Sequence, residues 1–276
     1  MKLSCSVPLL TLNSRPGLER LLPFLIQHFE DVYILDGNST DGTVEFARSL
    51  GVRVEKQFET DEPNQRITDF RTMRLRLWSF AKFDWLFILD SDEFVTSECL
   101  EVVRRVLGED SHREGHSFCI LMELPDFRIV REAFFYPNRS MRLFRRSDEI
   151  SLAERNLHER FIVPDGVKVM EHEEGITSIW LPPKKYLQKS LRYLHIESQS
   201  PCPTTWAYLW RWIIYFNIRS FFGQSYRAIK SYLRAWRHHR VALPFSYTAI
   251  LLGYRWGAIV ALGYAWWKGR KRVCAA

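Results

Sequence analysis

The chain reads as an α/β protein whose first half builds a largely parallel sheet and whose last third is helical and basic. Three observations carry this. Short apolar runs alternate with segments of helical periodicity, the order of strand–helix–strand units in a parallel sheet. Several runs end abruptly in polar, turn-forming residues, as strands do where they leave a sheet. After Glu197 there is no Asp or Glu at all, while twelve Lys or Arg follow.

The elements follow in order. Ser6 to Leu12 is a buried strand ending in the polar turn Thr11-Leu12-Asn13-Ser14-Arg15. Pro16 suits the first position of a helix, and Leu18, Leu21, Leu22, Leu25, Ile26 and Phe29 make its apolar stripe. Val32 to Leu35 is a second strand, followed by the turn Asp36 to Thr43, a helix from Thr43 to Leu50 and a stop at Gly51. Val52 to Glu55 is a third strand, and Asn64 to Lys82 is expected to be helical. Trp85 to Leu89 then runs apolar into Asp90-Ser91-Asp92-Glu93, and Ser97 is expected to cap a helix ending at Gly108. Beyond Gly115 the pattern turns antiparallel: Ser117–Leu124 and Ser140–Arg146 read as strands. Arg160–Val163 and Val167–Met170 flank Pro164-Asp165-Gly166 as a hairpin.

Length allows one large domain with an appendage, and a division into 1–195 and 196–276 follows from the change in character. Five scattered cysteines without a C-x-x-C pair exclude a disulfide scaffold or zinc ribbon and fit a reducing compartment. The N-terminus reads without a signal peptide.

Three polar strand ends coincide in such a sheet: Thr11 to Asn13, Asp36 to Thr43 and Asp90 to Glu93. Two carboxylates two residues apart, Asp90 and Asp92, suit a hard cation, Mg2+ or Mn2+, that keeps open positions for substrate phosphates. The plainer alternative is a strand end with solvated acids.

Here the chain resembles the family 2 glycosyltransferases of the GT-A fold. The matching residues are Val7–Asn13, ILDGNSTDGTVEFA from Ile34 to Ala47, and WLFILDSDEFV from Trp85 to Val95, within a resemblance covering about residues 1–195. Met141-Arg142-Leu143-Phe144-Arg145-Arg146 and Leu157-His158-Glu159 resemble segments of the bacterial lipopolysaccharide-core and surface-glycan enzymes of that family. The resemblance implies a GT-A-type mixed sheet and a nucleotide-sugar donor. Asp36 would meet the nucleobase, with Thr11 and Asn13 along the nucleoside. Asp90 and Asp92 would hold the cation at the diphosphate. Arg71 either reaches the nucleotide or sits on a solvated helix face. Asp41 is expected to shape its turn and cap the next helix.

Inversion through a single displacement needs a base at the acceptor hydroxyl. Glu159 is the first choice, with His158 expected to orient it or to approach the metal. The cluster His172-Glu173-Glu174 and the pair Glu123 and Asp126 remain open alternatives, as does an ion pair of Glu159 with Arg155 or Arg160. No Gln-x-x-Arg-Trp motif of processive family members occurs.

In the last third, Ile218, Phe221, Phe222, Tyr226, Ile229, Tyr232, Leu233 and Trp236 fall within roughly 140° of a helix, with the basic residues in the adjoining arc. This reads as a basic amphipathic helix, either docked on the catalytic domain or lying on an anionic membrane. Val241 to Trp267 is long enough to span a bilayer, but a central Arg255 costs about 2.5–3.5 kcal/mol on insertion scales, so a shallow or re-entrant element is expected. The expected acceptor is lipid-linked or lipopolysaccharide-type, and the expected place is the cytoplasmic face of the inner membrane. Nucleic acid is the least favoured partner, because the cations share a helix with a broad apolar face. Two rival readings are a non-catalytic membrane-binding protein and a sugar-nucleotide nucleotidyltransferase. The second would carry a Gly-rich signature that Val7 to Pro16 does not supply.

Overall fold

The structure, a computed structural model, describes residues 1–109, 113–153, 161–199 and 203–274. It divides into two compact units: 1–120 with 138–178, and 121–137 with 179–276. The units therefore do not part at 195/196, because 121–137 and the residues from 179 onward belong with the basic tail.

The architecture is mixed α/β. In the main sheet the strands run β3 (Arg53–Lys56), β2 (Phe29–Asp36), β1 (Leu3–Thr11), β4 (Trp85–Phe87), β7 (Arg139–Arg145), β6 (Glu114–Glu123), β10 (Lys168–Ile179) and β5 (Glu93–Val95). The first four are mutually parallel, and β7 lies antiparallel to both β4 and β6. The parallel strands are apolar on both faces because helices cover both. Val7, Leu9, Ile34, Phe87 and Leu89 point to one core with Leu18, Leu21, Leu22 and Leu25 of α1 (Arg15–His28) and Val102 and Val103 of α4 (Ser97–Gly108). Tyr33, Leu35, Leu86 and Ile88 point to the other core, with Met73, Leu77 and Trp78 of α3 (Phe70–Ser79). Successive residues of one strand thus serve opposite layers.

Several expectations change in detail. The helix expected over 64–82 begins at Phe70, where Asp69 caps it by accepting from the Thr72 amide. The residues before it form loops at the site. Thr96, rather than Ser97, caps α4, accepting from the Cys99 amide. The hairpin around Pro164-Asp165-Gly166 is not formed: β9 (Phe161–Ile162) pairs with β8 (Ser151–Leu152), while β10 joins the main sheet. A twelve-residue strand finds more backbone partners in the main sheet than a short hairpin would supply. α2 (Thr43–Ser49) is as expected.

The second unit has its own core. Met122, Leu124, Val130, Ala133 and Phe134 pack with Ala228, Leu243 and Tyr247. The aromatic rings of Phe135, Trp180 and Tyr186 stack in series. Its helices are α5 (Pro183–Gln199), α6 (Trp206–Tyr208), continued through a wide π-type stretch (Leu209–Tyr215) into α7 (Phe216–Arg237), and α8 (Phe245–Cys274). The apolar segment expected to be shallow or re-entrant forms one continuous helix, α8, packed against α5 and α7. Its glycines do not break it, because Gly257 lets Leu194 of α5 approach the backbone closely. By length and composition Phe245–Lys271 could cross a membrane. Arg255 meets the Gln224 side chain, whose amide, oriented with its oxygen toward the guanidinium, accepts at 2.8 Å.

Candidate active site

The parallel register of β1 and β2 sets Thr11 beside Asp36 at the carboxyl ends of both strands. There Asp36 is 2% exposed. Its Oδ2 accepts from the Thr11 and Ser39 hydroxyls, each at 2.7 Å, and its Oδ1 accepts from the Ser39 amide at 2.7 Å. Asp36, expected to meet the nucleobase, thus also braces its own loop through three accepted hydrogen bonds. Asp36 is the strut that holds the β1 and β2 loops together.

Asn13 completes this join. Its amide donates to Ser39 Oγ at 2.7 Å, its Oδ1 accepts from the Thr40 amide, and its Nδ2 donates to Asn64 Oδ1. Asn13, Asn38 and Asn64 are all left-handed, with φ of 51°, 58° and 56°, a conformation asparagine tolerates better than most residues. Gly37 is crowded as well, since a Cβ there would stand 2.5 Å from the carbonyl of Gln65. The buried Gln57 ties the floor, donating to the carbonyls of Thr11 and Leu35. Asp41 shapes the turn as expected, accepting from the Thr43 hydroxyl and the amides of Thr43 and Arg15, but the N-cap of α2 is Gly42, without a side-chain cap bond. Burial opposes its ionisation, but these bonds hold its carboxyl below the usual range.

The Asp90–Glu93 turn stands beside this cluster. Ser91 Oγ is 3.0 Å from Ser14 Oγ, and the Ser91 carbonyl packs on Gly17, where a Cβ would lie 2.5 Å away. The three carboxylates are not equivalent. Asp92 is exposed. Asp90 is partly exposed and accepts from Arg74 at 2.7 Å, with Arg142 at 3.9 Å. Glu93 turns inward, accepting from Arg142 at 2.6 Å and from the Asp90 amide at 3.0 Å. Burial opposes the charge on Asp90, yet Arg74 and Arg142 hold its carboxyl below the usual range. Burial pushes Glu93 up to about 7; Arg142 opposes this, and Asp90 and Asp92 add to it.

Arg71, weighed as a nucleotide contact or a solvated helix-face residue, donates to the Leu152 carbonyl at 2.7 Å. Its helical neighbour Arg74 faces the carboxylates. One turn of spacing separates the two roles, and the sequence pattern does not distinguish them. Glu159 and His158 lie outside the described residues. Of the alternative bases on β10, His172 hydrogen-bonds His116 at 3.1 Å and Glu173 pairs with Arg139. Among the described residues no group of three His, Cys, Asp or Glu forms a closed metal cage. Asp92 and Asp90 still fit a cation of the magnesium type, which takes one or two carboxylates and completes its shell with water and phosphate.

Residues 6–113 match the family model of glycosyl transferase family 2. The resemblance carried by the first three motifs is borne out over that stretch. Among solved structures the chain is similar to TarS 1–349 of S. aureus, at 14% identity and a TM-score of 0.44. The match covers 97% of this chain and 91% of that one. It is also similar to glucosyl-3-phosphoglycerate synthase of Mycobacterium tuberculosis, crystallised with Mn2+, uridine diphosphate and glucosyl-3-phosphoglycerate. There identity is 20%, the TM-score is 0.31 and coverage is 44% of each chain. Mannosyl-3-phosphoglycerate synthase of Rubrobacter xylanophilus matches at 21% identity and a TM-score of 0.33, over 45% of this chain and 41% of that one.

Proposed function

We propose that the protein is a non-processive, inverting glycosyltransferase that moves one sugar from a nucleotide donor to a lipid-linked or lipopolysaccharide-type acceptor. It would work at the cytoplasmic face of the inner membrane. The observation that carries this reading is the convergence of the Asp36-braced loop and the Asp90–Asp92 turn at one sheet edge, joined through Ser14, Gly17 and Ser91. The nucleoside would lie along Thr11 and Asn13, on a floor that Asp36 and Gln57 stiffen. Asp92 and Asp90 would hold Mg2+ or Mn2+, which neutralises charge on the departing nucleoside diphosphate. Arg74 holds Asp90 ionised and oriented for that contact. Glu159 takes the proton from the acceptor hydroxyl as its oxygen bonds to the anomeric carbon, and the bond from that carbon to the diphosphate oxygen breaks on the opposite side.

The test is thermal stabilisation of the full chain by nucleoside diphosphates and sugar nucleotides, with manganese and with chelator. Uridine nucleotides head the panel. Manganese-dependent stabilisation by one nucleotide, lost in Asp92→Ala at an unchanged unliganded melting temperature, supports the reading. A folded protein stabilised by none of them would favour a non-catalytic membrane-binding protein. Stabilisation by a nucleoside triphosphate with a sugar phosphate would favour the nucleotidyltransferase.

A further inference from the structure

The second unit carries its most apolar residues on the outside. Along α7, Asn217, Ala228, Ser231 and Ala235 are buried. Phe222, Tyr226, Ile229, Leu233 and Trp236 are 60% exposed or more. At 100° per residue the exposed set fills an arc of about 80° opposite the buried set. Small and polar side chains therefore face inward and large apolar ones outward, the reverse of a helix docked on a soluble core. Beside the stripe, on one flank only, run Arg219, Lys230 and Arg227, and Lys230 lies over the Tyr226 ring at 5.0 Å. A second column, Trp256, Val260, Tyr264 and Trp267, is exposed along α8, with Lys271 over Trp267 at 4.1 Å.

We infer that the α7 stripe is a docking surface for an anionic lipid bilayer, with Phe222, Leu233 and Trp236 entering the interface and Arg219 and Lys230 meeting the headgroups. This deepens the membrane part of the proposed function, but it does not depend on the transfer chemistry. Charge decides between occupants. A second copy placed face to face would bring two basic flanks together, and residues 198–276 hold no acid to relieve them. Glu132 is already engaged by Arg234 and Arg240. An anionic headgroup layer complements such a flank, and each Lys or Arg near it strengthens binding severalfold. Aromatic rings paired with cations match the amphipathic depth of the headgroup region.

The test is flotation of the full chain with vesicles of neutral lipid and with vesicles of about one-third anionic lipid. Binding is expected to the second kind, with a blue shift of tryptophan emission, and to weaken between about 0.1 and 0.5 M salt. The variants Leu233→Ser and Trp236→Ser each change an outward residue, so melting temperature should hold while vesicle affinity falls about tenfold. Arg219→Glu with Lys230→Glu should abolish the preference for anionic lipid. Three results would overturn the inference: no flotation with anionic vesicles at low salt, binding indifferent to both sets of variants, or a solution dimer that Leu233→Ser splits while flotation is unchanged. Because no donor or metal enters the assay, its failure leaves the nucleotide-binding test standing, and the reverse.

Discussion

The guanidinium of Arg74 stands 2.7 Å from Oδ1 of Asp90, so the first carboxylate of the Asp-x-Asp turn is already paired within the protein. Arg74 lowers the pKa of Asp90 against burial. Arg74→Gln should therefore raise that pKa. The acid limb of manganese-dependent nucleotide binding would move upward with it. Arg71→Gln should leave that limb in place, because Arg71 bonds the Leu152 carbonyl. Thermal shifts between pH 4 and 8 with the nucleoside diphosphate that stabilises the protein would separate the two; a limb unmoved by Arg74→Gln would remove Arg74 from the site.

Glu159→Gln should retain nucleotide binding and lose transfer by about 10²–10⁴-fold, the usual contribution of a general base. Single-turnover sugar transfer together with the thermal-shift assay reads both quantities. Undiminished turnover would assign the base elsewhere.

Gly17 of α1 packs against the Asp-x-Asp turn. A Cβ on it would lie 2.5 Å from the Ser91 carbonyl, which is backbone and cannot swing aside. Gly17→Ala should destabilise by about 1–3 kcal/mol as the two elements part. It should also weaken metal-dependent nucleotide binding more than Gly108→Ala, where nothing lies within 4 Å. Urea denaturation and donor titration of the pair would check this.

His116 is buried, and its Nδ1 meets His172 Nε2. Burial, His172 and Arg105 lower its pKa to about 4, while the Glu114 carboxylate stands 4.0 Å from Nε2. The folded state therefore binds this proton less readily than the unfolded chain. The stability linked to His116 is complete above about pH 6.5 and is lost as pH falls toward 4, by up to about 3 kcal/mol. His116→Gln should flatten that part of the profile, measured as urea stability between pH 7.5 and 4.5.

What was legible in the sequence follows from what was local. The alternating apolar runs and the turns after Thr11, Asp36 and Leu89 placed three strand ends at one edge, and the register of β1 with β2 brought Thr11 onto Asp36. The Asp41 turn was legible because its partners lie two residues on or at one neighbouring turn. Long-range pairing was not legible. Nothing local distinguishes Arg71 from Arg74, and Arg142 reaches Glu93 only because β7 slots in antiparallel beside β4. The amphipathic pattern of α7 was legible, but not its orientation. A hydrophobic stripe marks a face that leaves water, and it does not say whether protein or lipid receives it.

The chain leaves the first unit at residue 120, returns at 138 and leaves again at 178. This has a consequence for biosynthesis. Strand β7, which fills the gap between β4 and β6, emerges only after the excursion through 121–137 has been made. That excursion waits still longer, until Ala228, Leu243 and Tyr247 are synthesised to cover it and Arg234 and Arg240 to neutralise Glu132. The aromatic, basic last third is thus the part of the chain that completes the core begun by 121–137. A chain ending before Ala228 would leave Met122, Leu124 and Phe134 without the residues that cover them, and Glu132 without its arginines.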